Sequence, residues 1–115
     1  MSEYLVLIYE DKAAMDNVDE AAMGKMMQGH TDFGENNGKS IRGGNALEPW
    51  VTATSLRKNA AGELLVTDGV FVETKEVLGG YYVIEAADLD EAIKIASQIP
   101  APFGGLEIRP IRVFD

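Results

Sequence analysis

The stretch Thr67-Asp68-Gly69-Val70-Phe71-Val72-Glu73-Thr74-Lys75-Glu76, followed at once by Val77-Leu78-Gly79-Gly80-Tyr81-Tyr82-Val83-Ile84, carries most of the fold information in this chain. An Asp-Gly turn signal ends one apolar run, and a charged loop over 68–78 leads into a second. The second run, read here as a strand over 80–86, is apolar at successive positions, so it calls for cover on both faces of a sheet. Tyr4-Leu5-Val6-Leu7-Ile8-Tyr9 has the same character at the other end of the chain.

Working outward from that stretch, Val51–Arg57 and Glu63–Thr67 flank the turn Lys58-Asn59-Ala60-Ala61-Gly62 and predict a hairpin. Asp88 as N-cap, with Glu91 in the capping-box position, predicts a helix whose apolar stripe is Leu89, Ala92, Ile93 and Ala96. Pro100 and Pro102 forbid its continuation. An earlier helix is expected to open at Asn17 with Glu20 and to carry Ala22, Met26, Gly29 and Phe33 on its core side. Asn37-Gly38 is its stop signal, and propensity already falls after Phe33. Gly43-Gly44 reads as a turn or bulge, and the last strand, Leu106–Val113, contains Pro110, an edge or bulge signal. The order β-α-β-β-β-α-β predicts one α+β domain over residues 1–115, a ferredoxin-like α/β sandwich. Such a sheet has helices on one face only. The two doubly apolar runs therefore predict a homodimer that packs sheet on sheet.

Composition narrows the function classes. With 115 residues the chain suffices for one core. It has no cysteine, which excludes disulfides, thiolate catalysis and cysteine-ligated metals. Ten basic against nineteen acidic side chains give a net charge of −9. Without a Lys/Arg cluster, direct nucleic-acid binding is not expected, and the acidity reads as solubility. No apolar run approaches the roughly 20 residues of a membrane span. Met1-Ser2-Glu3-Tyr4 lacks the features of a secretory signal, so a cytoplasmic location is expected. One histidine and no calcium loop leave no recognisable metal site, and no glycine-rich loop has cofactor-binding spacing. No cofactor is expected.

The chain closely resembles the DGPF proteins, a branch of the YCII-related family. The resemblance rests on Tyr9-Glu10-Asp11, Gly43-Gly44-x-x-Leu47-x-Pro49, Ala53-Thr54-x-x-Arg57, the stretch 67–80, Ala87–Ala92, Ile99-Pro100-Ala101 and Glu107–Pro110. It implies a dimeric α+β barrel in which two ferredoxin-like subunits stack their sheets. It also implies, from some relatives, a histidine–aspartate pair in the cleft between sheet and helices. An association with an extracytoplasmic-function sigma factor is implied by family context alone. Val70 departs from the pattern, standing where the family's loop has proline, and the first helix looks shortened after Phe33.

Candidate chemistry follows from residue type. His30 is the only histidine, lies near the family's histidine position, and reads either as a general acid–base group or as a helix-border histidine. Asp68 is its candidate carboxylate partner, although an Asp-Gly turn explains that aspartate equally well. Asp32, two residues from His30 on a helix, faces elsewhere. Phe71, Thr74 and Lys75 are candidates for a lid or pocket wall, and Tyr9, Tyr81 and Tyr82 either for cavity-lining hydroxyls or for packing in the core or a dimer interface. Two functions fit: a small cofactor-free enzyme moving a proton with His30 and Asp68, or a non-enzymatic module that senses a ligand or touches a protein partner.

Overall fold

The computed structural model describes residues 1–70 and 74–115. Four strands form one antiparallel sheet in the order β2-β5-β1-β6: β1 is Ser2–Asp11, β2 Ile41–Ala46, β5 Glu76–Ala86 and β6 Gly104–Pro110. β3 (Thr54–Lys58) and β4 (Leu64–Asp68) form a separate two-stranded sheet. The helices are α1 (Lys12–Asp16), α2 (Glu20–Asn37) and α3 (Leu89–Ala96). The protein is thus α+β, with the β3–β4 hairpin inserted between two strands of the main sheet.

Alternation along the two central strands decides which side is covered. Tyr4, Val6 and Ile8 of β1 and Ile84 and Ala86 of β5 meet Phe33 of α2 and Ala92, Ile95 and Ala96 of α3 in one core. Leu5, Leu7, Tyr81 and Val83 point the other way, away from the core formed with α2 and α3, and are only half-buried. A bulge falls between Ile8 and Tyr9: Ile8 faces Gly80 but Tyr9 faces Leu78, leaving Gly79 as the extra residue.

Several local expectations shift for identifiable reasons. Asp19, not Asn17, caps α2, its carboxylate accepting from the Ala22 N–H at 2.7 Å. Asn17 instead ends the short helix α1, which Asp11 opens by accepting from Ala14 N–H. α2 continues past Phe33 to Asn37, where the Asn37 amide reaches the Phe33 carbonyl and Gln98. In α3 the capping box forms as read, with Asp88 accepting from Glu91 N–H and Glu91 from Ala87 N–H. Its buried face is rotated, however: Ala92, Ile95 and Ala96 are inside, whereas Leu89 and Ile93 are about half exposed. Gly43 and Gly44 lie within strand β2 rather than in a turn, and the ladder with β5 is irregular between Ile41 and Gly43, where a bulge was the other expectation. The segment before β3 is a 3-10 turn over Trp50–Thr52, so that strand starts at Thr54. β6 stops at Pro110, which fits proline at the end of an edge strand.

Candidate functional site

His30 projects from α2 toward β5, where its Nδ1 lies 2.8 Å from the Tyr82 hydroxyl. The two rings stack with centroids 5.8 Å apart, and Phe33, one turn further along α2, meets Tyr82 edge-on at 4.9 Å. Phe33 is almost wholly buried and so fixes the phenol from below. Across the sheet, Tyr82 pairs with Gly44. A Cβ at position 44 would stand 2.8 Å from both the Tyr81 carbonyl oxygen and Tyr82 Cδ1, so only glycine admits the ring in this orientation.

Partial burial pushes the His30 pKa below its ordinary 6.5 and the Tyr82 phenol above its ordinary 10.0. Both groups are therefore held neutral near pH 7. Among the described residues no partner is found for His30 Nε2, which leaves one ring nitrogen anchored and the other available. This is how an imidazole is presented for proton transfer.

The other candidates are distributed over the molecule. Asp68 ends β4 opposite Thr54, is exposed, and precedes Gly69, whose φ of +100° makes the turn. The turn's N–H at Gly69 is taken by the Ala53 carbonyl, and Ser55 Oγ donates to the Gly69 carbonyl, so Asp68's side chain is not what closes it. No hydrogen bond or ion pair joins Asp68 to His30 among the described residues. Tyr9 shares the strand parity of Leu5 and Leu7, which places it on the opposite side of the sheet from Tyr82. Thr74 and Lys75 line an open cleft of about 580 Å³ with Asp11, Lys12 and Ala13. That cleft lies at the end of β1, five residues and about 16 Å along the strand from Val6, the partner of Tyr82. Phe71 lies outside the described residues.

Sequence reasoning missed the contribution of Lys12, whose ammonium sits 4.5 Å over the Trp50 ring beside the same cleft. It also missed Glu10, whose carboxylate lies over Gly79 and whose pKa is raised by burial. Neither had a readable spacing signal. The His30–Tyr82 contact spans 52 residues and was equally invisible to local patterns. No group of three His, Cys, Asp or Glu side chains gathers among the described residues, and no helix there is long and apolar enough to cross a membrane.

The family model of the YCII-related domain matches residues 2–115, nearly the whole chain. The chain belongs to the YCII-related family. An uncharacterized protein of Rhizobium meliloti (strain 1021) is 44% identical over 71 residues, an alignment covering 59% of this chain and 56% of that protein. The chain thus matches only about half the length of this relative.

Proposed function

We propose that this YCII-related protein is a small cofactor-free acid–base catalyst, in which His30 moves a proton on a small organic substrate. The supporting observation is the 2.8 Å contact between His30 Nδ1 and the Tyr82 hydroxyl, in surroundings that keep the imidazole neutral. In this reading the ring donates its Nδ1–H to the Tyr82 oxygen and keeps a lone pair on Nε2. When Nε2 takes a substrate proton, the imidazolium still has an acceptor at Nδ1. Asp68 keeps a place in the proposal as a second proton carrier. The β2-β5-β1-β6 order and the open sheet face support a ferredoxin-like subunit that pairs with a second copy as a dimeric α+β barrel.

An NMR pH titration of the single histidine tests the assignment of roles. In the wild type His30 is expected to titrate below 6.5. Tyr82→Phe is expected to lower its pKa further, because the imidazolium loses its acceptor. A rise instead means that Nδ1 accepts from the phenol and Nε2 already carries the proton, which ends the base role. Asp68→Asn moves the titration only if that carboxylate is coupled to His30. The stability consequence has a definite sign. With the folded pKa below the unfolded one, the neutral imidazole's contribution is complete above pH 6.5 and is lost as pH falls through the folded pKa. His30→Gln should therefore show a flatter acid limb in thermal melts. For activity, a panel of carbon acids incubated in deuterated water should reveal one whose C–H exchanges, with His30→Gln slowing exchange by roughly 10²–10⁴-fold.

A further inference from the structure

The β3–β4 hairpin is an unusual object for a protein of this size. It shares no ladder with the main sheet, and a lone two-stranded hairpin is marginal in water without something packed on it. Its register, Leu56 opposite Val66 and Lys58 opposite Leu64, puts Leu56, Leu64 and Val66 on one face. All three are more than half exposed, at 55%, 58% and 62%. The other face carries Ser55, Arg57, Leu65 and Thr67 around a small hollow. One side of the hairpin is therefore an uncovered aliphatic surface.

The whole chain shows the same deficit. It exposes 8088 Å², where a folded monomer of 12.5 kDa exposes about 6,200 Å². Its radius of gyration is 16.2 Å, against about 13 Å for a compact domain of 115 residues. The excess of about 1,900 Å² falls within the roughly 1,000–2,500 Å² that each subunit of an obligate homodimer buries. That area, together with the open sheet face, is what a second copy of the same chain would cover.

We infer that the β3–β4 hairpin is a dimerisation arm, whose Leu56–Leu64–Val66 face packs on a second copy of this chain. The inference rests on the homodimer reading and adds to sheet-on-sheet pairing a separate point of attachment. It also gives Asp68 a location: this residue shares the parity of Leu64 and Val66, so docking of the arm carries its carboxylate to the subunit boundary.

Sedimentation equilibrium across a concentration series should give twice the 12.5 kDa chain mass for the wild type. The double variant Leu56→Glu/Val66→Glu should weaken association by about a hundredfold or more, since each aliphatic side chain buried in the contact is worth roughly tenfold or better. Far-UV circular dichroism checks that the variant is folded. Hydrogen exchange on the unmodified protein does not depend on that check: the β3–β4 amides should become protected as the dimer fraction rises. A wild type that stays monomeric overturns both the arm and the homodimer reading. A dimer that survives the double substitution in folded form, or whose hairpin amides exchange equally fast in both states, overturns the arm alone.

Discussion

Phe33→Ala is expected to destabilise the protein by about 3–5 kcal/mol, a large share of the roughly 5–15 kcal/mol that holds a domain together. Phe33 is among the largest fully buried side chains and joins α2 to the core strands β1 and β5. Its loss leaves a cavity that the neighbouring β-sheet backbone cannot close, so both the transfer and the cavity contributions apply. The effect extends beyond stability, because the Phe33 ring edge is the wall against which Tyr82 rests at 4.9 Å. With the wall gone the phenol gains freedom, and the His30 titration should move along with the denaturation midpoint. Urea unfolding followed by circular dichroism measures the first effect, and the histidine resonance the second. A loss below about 1 kcal/mol would mean that the ring is not part of a close-packed core.

The second large effect is expected at a glycine. Gly44→Ala places a methyl group 2.8 Å from the Tyr81 carbonyl oxygen, which belongs to the paired backbone of β5 and has little freedom to retreat. Overpacking of this kind costs about 1–3 kcal/mol. The same methyl meets Tyr82 Cδ1 at 2.8 Å and drives the ring from its place, so the contact with His30 should be lost. Gly43→Ala is the internal control. It lies on the same strand with nothing within 4 Å of the new methyl, and a change within about 0.5 kcal/mol is expected. Equal losses at the two positions would remove the argument that Gly44 is there to seat Tyr82. Thermal melts of both variants, run beside the histidine titration, separate the outcomes.

What was legible in the sequence is what short-range chemistry dictates. The turn at Lys58–Gly62 is written in its residues, since Asn59 accepts from Ala61 and Glu63 N–H groups and Gly62 supplies a φ of +83°. The Asp88–Glu91 box is likewise local, and it formed as read. The α2 stripe holds in outline, with Ala22, Met26 and Gly29 half-buried and Phe33, at its C-terminal end, the residue of the helix that is buried outright. Errors arose where tertiary packing chose between local options. Asn17 and Asp19 are both competent caps, and the insertion of α1 after β1 decides for Asp19. Ile93 and Ile95 are equally apolar, but only Ile95 faces the core formed with β1 and β5. Gly43 and Gly44 read as a turn or a bulge; the turn is absent, an irregularity does fall beside Gly43, and the aromatic pair across the ladder, Tyr81 and Tyr82, explains why a strand there is rich in glycine. The candidate site follows the same rule. His30 is singled out by composition, yet its partner Tyr82 is set by the pairing of β5 with β1 and by the packing of α2 over them, not by spacing along the chain.

The placement of β1 at the centre of the sheet has a kinetic consequence. Its two neighbours are β5 and β6, so Tyr4 must find Ile84 on one side and Pro110 on the other. Neither edge of this strand can be satisfied by anything close in sequence. Helical turns can form early from local interactions, while the strand that organises the core stays incompletely paired until residues 104–110 are in reach. Folding should therefore be gated by closure of these long loops. During that wait the six apolar residues of Tyr4–Tyr9 form an open strand edge, the segment through which an overproduced chain is most exposed to aggregation.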